Sequence, residues 1–213
     1  DLALPDGRLA GDATLYPGGI EADIELALGD LGIAARLADA PVTEGALTLD
    51  ATLDTRAGRA GGRADMELSG LRLEGTAGDL GALDATAGAR WDGSTARAEA
   101  ELRGPFERPL RAEASVGLRP GAPLPRVPPG AALSGALAWS GDIGESWAMV
   151  PAADHVLDGA TVVDLRVSGT VDEPRIGGRV EVSDGRYENL ETGTILTRLD
   201  VTSDIAESGD LAL

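Results

Sequence analysis

The sequence predicts an all-β fold, an elongated and curled β-sheet forming a groove with an apolar concave face, with one short amphipathic helix. Three observations lead to this prediction. Apolar residues alternate with polar ones along most of the chain, as in strands with one buried face. Glycine supplies 30 of the 213 residues, which favours turns over long helices. The alternating segments also repeat with little variation, which favours a stack of neighbouring strands.

Six alternating segments within residues 1–119 predict successive strands of one meander. They cover 20–28, 47–53, 64–73, 83–91, 96–102 and 110–118. In the first of them, Ile24 and Leu26 alternate with Asp23 and Glu25. In the third, the apolar positions change parity after Gly70, which predicts a bulge or tight turn there. Turn signals such as Asp92-Gly93 separate the segments.

The remaining strands are predicted at 133–139, 163–171, 176–182 and 199–205. Before them, residues 120–130 hold five of the 12 prolines, which excludes a central strand and predicts an extended connector. Helical spacing of Ile143, Trp147 and Val150 predicts a short helix at the end of the sheet, with Asp142 as N-cap and Pro151 ending it. The predicted organisation is a repetitive strand stack over 1–119, the connector, and 131–213 continuing the same groove.

The apolar face is predicted to be an open trough for lipid acyl chains. Many of its positions are Ala, as at Ala85, Ala87, Ala98 and Ala100, and such small side chains do not fill the space over the apolar face. A closed, adhesin-like β-sandwich with a dry core is the alternative fold, and it predicts no accessible apolar cavity. The side chains predicted to face the trough are Ile24, Leu26, Leu49, Met66, Leu68, Val116, Leu137, Leu165, Val167 and Val180.

Composition argues against several classes of function. The net charge is −18 and all 18 basic residues are Arg, so neither nucleic acid nor an anionic membrane surface is an expected partner. Without cysteine there is no thiolate nucleophile, disulfide framework or cysteine zinc site. The single histidine, His155, has no nucleophile at a recognisable spacing, and the outward carboxylates read as a solvated face. We therefore predict no enzyme activity, no catalytic residues, no metal site and no cofactor.

Several conspicuous residues receive structural interpretations. His155 is predicted in a partly exposed loop, and Asp184-Gly185-Arg186-Tyr187 as a turn followed by a strand. The pairs Gly61-Gly62 and Gly177-Gly178 are predicted at turns or bulges, because neither opens a helix as a phosphate-binding loop does. The tryptophans at 91, 139 and 147 either line the lipid path or fill wide places in the packing, and the sequence leaves both open.

The stretch from Ile143 to Asp200 resembles the TamB family, the inner-membrane subunit of the bacterial translocation and assembly module. The resemblance is carried by Val167-Ser168-Gly169-Thr170-Val171-Asp172-Glu173-Pro174, the strand that follows it, and Ser183-Asp184-Gly185-Arg186-Tyr187-Glu188-Asn189. The earlier part of the chain is similar to the family only in its general pattern of short alternating strands, without a specific motif. In the family the pattern reads as strand, Gly-Thr, a variable pair, Asp/Glu-Pro, strand, and then Asp-Gly-Arg-Tyr-Glu-Asn.

The resemblance implies a periplasmic region of an inner-membrane-anchored protein whose anchor lies outside this sequence. The TamB family is similar to AsmA-like and bridge-like lipid-transfer proteins, whose curled sheet forms an apolar trough. It implies a non-enzymatic conduit carrying phospholipid between the inner and outer membranes and supporting outer-membrane protein assembly. The implied partners are phospholipid acyl chains, an outer-membrane barrel of the TamA type and outer-membrane protein clients. The alternative function is a chaperone or scaffold that templates client β-strands by pairing at an open sheet edge.

Overall fold

The computed structural model describes residues 2–4, 6–32, 42–55, 60–73, 82–104, 106–119, 125–147, 154–206 and 211–212. Within this part of the chain, thirteen strands form one sheet whose order in space is their order along the sequence. Every neighbouring pair is antiparallel. The sheet is open, because its first and last strands lie at opposite ends of this order. The predicted all-β, elongated sheet with a short helix is confirmed.

The strands are 2–16 residues long. Their bounds are β1 Leu2–Leu4, β2 Gly7–Tyr16, β3 Gly19–Leu28, β4 Val42–Asp54, β5 Gly61–Leu73, β6 Leu83–Trp91, β7 Thr95–Arg103, β8 Leu110–Gly117, β9 Leu133–Asp142, β10 His155–Gly169, β11 Pro174–Asn189, β12 Thr194–Ile205 and β13 Leu211–Ala212. The short helix α1, Ile143–Trp147, lies between β9 and β10. The predicted segments all correspond to strands, whereas β1, β2 and β13 were not predicted.

Strand register gathers the apolar residues on one face. We use the word row for residues that lie directly opposite one another on successive strands. The central apolar row crosses eleven strands without a polar side chain. Its members are Leu9, Leu26, Leu49, Met66, Ala87, Ala100, Ala112, Leu137, Leu165, Gly178 and Ile205. The row is continuous only if no hairpin shifts the strand pairing by one residue, because such a shift moves all side chains of a strand to the other face.

Helix α1 covers the part of β10 that extends past β9. Asp142 is its N-cap, as predicted, since the Asp142 carboxylate accepts a hydrogen bond from Gly144 N at 2.8 Å. The same oxygen accepts one from Gly159 N at 3.2 Å, and Trp147 Nε1 donates to the His155 carbonyl at 2.9 Å. The helix thus occupies backbone groups of β10 where β9 has already ended. The predicted contributions of Val150 and Pro151 lie outside the described residues.

The stretch from Asp184 to Tyr187 corrects one prediction, because it is not a turn but part of β11. The register shifts on both sides of Gly185, so the segment is a bulge opposite β10 and β12. Asp184 has φ 51°, and its N–H donates to the Asp200 carboxylate at 3.1 Å. An Asp-Gly pair is favourable wherever a positive φ is needed, in bulges as in turns, which explains the error.

Three further assignments are corrected. Gly177 and Gly178 lie within the regular ladder between β10 and β11 rather than at a turn or bulge. His155 is the first residue of β10 rather than a loop residue, and Val171 lies in the turn after that strand. Gly70, in contrast, lies at the predicted register shift, between Leu68 and Leu71 of β5.

The segment between β8 and β9 carries the predicted connector. Residues 120–124 lie outside the described part, while Arg119 and Arg126 on either side form a two-residue antiparallel bridge. Because β8 pairs directly with β9, the strands before and after the connector belong to the same sheet. Among the described residues, no helix has the length and apolar character that a membrane crossing requires.

Candidate apolar groove and the charged face

The register places all ten predicted trough residues on one face of the sheet. Five of them belong to the central apolar row, and the others lie one or two rows to either side of it. Nine are half-buried, and Ile24 is 45% exposed. Their shared face is a structural fact, whereas their contact with lipid stays a prediction.

The apolar face is not closed into a core. Among the described residues, no large side chain is fully buried, and the deepest large apolar ones are Leu83 at 4% and Trp139 at 9% exposure. Strands pack against their sequence neighbours, and α1 packs against β9 and β10, with no second layer over the apolar face within the described part. The dry sandwich core of the alternative fold is therefore missing from these residues.

The apolar face changes depth along the sheet. Leu26, Leu49 and Met66 form its surface over β3 to β5, and Leu137 and Leu165 form it over β9 and β10. Between them the central row is alanine on β6, β7 and β8, where Ala100 is exposed. Leucine and methionine side chains reach further from the sheet than a methyl group, so the middle of the face is a shelf between two higher regions.

Two of the tryptophans, Trp91 and Trp139, pack over strand glycines, while their contact with lipid stays a prediction. The Trp91 ring lies over Gly62 on the neighbouring strand, so closely that a side chain at Gly62 would collide with it. Trp139 lies against Gly141 and meets Phe106 edge-on, with ring centroids 6.2 Å apart. An aromatic ring over a strand glycine restores the packing that the glycine lacks. The contact of Trp91 with Gly62 depends on strand register, whereas Trp139 and Gly141 lie two residues apart on the same strand.

The opposite face, which we call the charged face, contains a large recess. This recess has a volume of about 710 Å³ and extends from Thr48 on β4 to Ala138 on β9. In a flat sheet these strands would be about 24 Å apart, so the sheet must curl across them. A twisted sheet is saddle-shaped, which makes each face concave in one direction. The sequence predicted this face only as a solvated surface.

Ion pairs organise part of the charged face. Glu101 accepts a hydrogen bond from Arg111 Nε at 2.9 Å and also contacts the Arg103 guanidinium. These contacts, led by the Arg111 hydrogen bond, lower the pKa of Glu101. Elsewhere like charges face each other, as Glu99 faces Glu113 across β7 and β8. Facing like charges weaken a sheet, so this face is not arranged for stability alone.

No cluster of metal-ligating side chains occurs in the described part of the chain. None of its carboxylates or its histidine form a group of three that fits a metal ion. His155 Nδ1 instead lies 2.8 Å from the Tyr187 hydroxyl, and the two rings stack with centroids 5.8 Å apart. This pair joins β10 to β11 beyond the end of β9 and has a packing role.

No family model, curated protein or solved structure matches this chain. The TamB resemblance therefore rests on the residue pattern of the last third of the sequence.

Proposed function

We propose that this chain is a non-enzymatic lipid conduit, which carries phospholipid along the apolar face of its sheet. The observation that carries the proposal is the central apolar row, which crosses eleven strands unbroken and has no second layer over it in the described residues. Uncovered apolar surface of this extent marks an interaction site rather than ordinary surface.

Physical chemistry supports acyl chains as the occupant. Exposing a lipid tail to water costs about 0.8 kcal/mol per CH₂, or roughly 10 kcal/mol for a 16-carbon chain. Eleven strands spaced by about 4.8 Å extend the apolar row for roughly 50 Å. A path of this kind removes the cost of exposure at every step without chemistry. The direction of travel would run across the strands.

The setting proposed for this conduit is the one that the TamB resemblance implies. The chain would form a periplasmic part of an inner-membrane-anchored protein, acting between the two membranes and supporting outer-membrane protein assembly. A TamA-type barrel and outer-membrane protein clients are the proposed partners. No ligand beyond the lipid is needed for this role.

The decisive experiment is organic extraction of the purified protein followed by lipid mass spectrometry, with Leu165→Asp as the test variant. Leu165 lies in the central apolar row between Leu137 and Gly178. We expect about one phospholipid or more per chain in the wild type and a loss of at least tenfold in the variant, because a carboxylate is costly beside acyl chains.

The matched control is Val162→Asp on the same strand. Val162 is 50% exposed and lies on the charged face, so the same carboxylate is placed on β10 with the opposite orientation. We expect this variant to retain its lipid. Equal lipid content in wild type and both variants, or a wild type free of lipid, would contradict transport on the apolar face.

A second candidate function, the templating of client strands, is favoured by the outer edge of β12. In the described part of the chain, only Asp204 and Ile205 of this twelve-residue strand pair outward, with β13. Ile195, Leu196 and Val201 on β12 are 43–52% exposed. Exposed apolar edges are templates for added strands. On this alternative, client capture would be unchanged by Leu165→Asp, which separates it from the lipid conduit.

A further inference from the structure

The chain is strongly acidic overall, yet five of its 18 arginines lie at one end of neighbouring strands. We use the term arginine end for the ends of β5–β8 that carry Arg63, Arg90, Arg97, Arg119 and Arg126. The turn at 92–94 and residues 118–119 and 125–132 lie at this end, and all five arginines are exposed. The net charge of −18 therefore conceals a local cationic region.

Three of these arginines form a row across neighbouring strands. Arg63 lies opposite Arg90, and Arg90 lies opposite Arg97. Successive strands are about 4.8 Å apart, so three guanidinium groups lie within reach of one small anion. Facing like charges destabilise a sheet, and the effect is relieved when an anion bridges them.

Carboxylates at the arginine end neutralise this row only in part, through Asp65 beside Arg63 and the electrostatic interaction of Asp92 with Arg97. Within the described residues, Arg63 has a carboxylate oxygen nearby, Asp65 at 3.7 Å, while Arg90 and Arg97 have none within 4 Å. Asp92, the acidic residue of the adjacent turn, is already occupied: it accepts hydrogen bonds from Ser94 Oγ, Ser94 N and Thr95 N at 2.8–3.0 Å. The Ser94 side chain contributes most to the lowered pKa of Asp92.

A recess of about 570 Å³ adjoins the row on the charged face. Its donors are the side chains of Arg90, Arg97, Ser115 and Ser134, while Glu99 and Glu113 form its inner border. Arg166 also lines the recess but already contacts Asp164 at 3.3 Å. Ser115 lies opposite Arg97, and Ser134 lies opposite Ser115, so hydroxyl groups continue the arginine row over two more strands. Guanidinium and hydroxyl donors together suit an anion with several oxygen atoms.

Backbone hydrogen bonds hold the arginine end in place. Leu118 N donates to Ser94 O at 2.7 Å, and Gly117 N donates to Ala132 O at 2.9 Å. Arg119 and Arg126 exchange two backbone bonds of 2.8 and 3.0 Å. The turns at this end are therefore tied to one another, and little ordering is required when a ligand binds.

We propose that the arginine end is a binding site for phosphate groups. The planar guanidinium fork matches phosphate oxygens in a bidentate manner, and neighbouring arginines are suited to share one phosphate. Trp91, Ala96, Val116 and Leu133 form the apolar row at the same end of these strands, on the other face. A phosphate at this end comes either from free phosphate or from the headgroup of a lipid whose tails lie along the apolar face. Of these two origins of the phosphate group, only the lipid headgroup depends on the proposed function.

The experiment compares two probes, inorganic phosphate and monomeric dihexanoylphosphatidylglycerol, by titration calorimetry at low ionic strength. The test variant is Arg90→Gln with Arg97→Gln. We expect the affinity to fall about tenfold or more, since hydrogen bonds to a charged group are the interactions removed. We also expect wild-type affinity to fall as salt is added.

The control variant is Arg72→Gln with Arg103→Gln, which makes the same charge change at the opposite strand ends. These arginines contact Glu44 and Glu101, so they are not free for an anion. A loss confined to the Arg90/Arg97 variant supports the site. If only the lipid shows this loss, the source is the headgroup; if only phosphate shows it, the source is free phosphate.

A wild type that binds neither probe, or two double variants with equal affinity, would overturn the proposal. The lipid conduit is tested independently of the phosphate site, by the Leu165→Asp variant. That substitution lies on the apolar face, so it is expected to leave binding of inorganic phosphate unchanged even where lipid is lost.

Discussion

Gly178 illustrates how single residues set the shape of the apolar face. It is the member of the central apolar row on β11, opposite Leu165 and Ile205. Its φ is 138°, and a Cβ there would collide with the backbone oxygen of Asp164. A side chain is excluded by the close approach of β10 and by the backbone conformation together.

We predict that Gly178→Ala destabilises the protein by about 2 kcal/mol or more, because both strain and overpacking are introduced. Gly88→Ala is the control, since Gly88 also lies within a strand but an added Cβ there makes ordinary contacts of 3.4–3.7 Å. We expect this change to be neutral or stabilising by about 0.5 kcal/mol. Urea midpoints of the two variants measure the difference, and equal midpoints would contradict it.

At the scale of elements, α1 protects an exposed length of strand. β10 begins at His155 but pairs with β9 only from Ala160 onwards, which leaves five residues without a strand on that side. Asp142 and Trp147 satisfy backbone groups of this segment. Covering an edge with a helix is one of the ways in which sheets avoid unwanted pairing. The helix is therefore an edge cover, as well as a connection.

We predict that Asp142→Ala destabilises this end of the sheet by about 1–2 kcal/mol, because the N-cap and the bond to Gly159 are lost together. Amide hydrogen exchange is expected to increase in residues 155–159 and to remain unchanged in β6 and β7. Asp142→Asn retains an acceptor oxygen and serves as the control. Unchanged exchange at 155–159 in the alanine variant would count against the cover.

At the scale of the whole molecule, the sheet behaves as a one-dimensional stack. Strands contact their sequence neighbours, and large buried side chains are scarce in the described part of the chain. In such an array stability is the sum of local terms and nearest-neighbour interfaces. Curling then places a recess on the charged face and leaves an apolar path on the other.

We predict that Leu49→Ala weakens only its own neighbourhood. Leu49 lies between Leu26 and Met66 and is half-buried, so its truncation is expected to cost about 1 kcal/mol. Hydrogen exchange should increase in β3, β4 and β5 while β10 and β11 keep their protection. Leu165→Ala is the reciprocal control, with faster exchange in β9 to β11. A uniform increase across all strands in either variant would show one cooperative unit instead.

The sequence alone determined which residues share a face, because side-chain direction in a strand follows directly from the period of two. Ile24, Leu49, Leu165 and the other predicted trough residues were found in this way. The alternation fails where the backbone departs from regular pairing, so the Asp184 bulge was predicted as a turn. Gly177-Gly178 was misplaced because its role depends on the approach of another strand.

Only the tertiary structure decided how separate segments meet across the sheet. Arg63, Arg90 and Arg97 are widely spaced along the chain and look unrelated there, yet hairpin register makes them one row. Trp91 over Gly62, the recess from β4 to β9 and the cover of β10 by α1 arise in the same way. Periodicity is a local property of the chain, whereas register and curl come from hairpin geometry and twist accumulated over many strands.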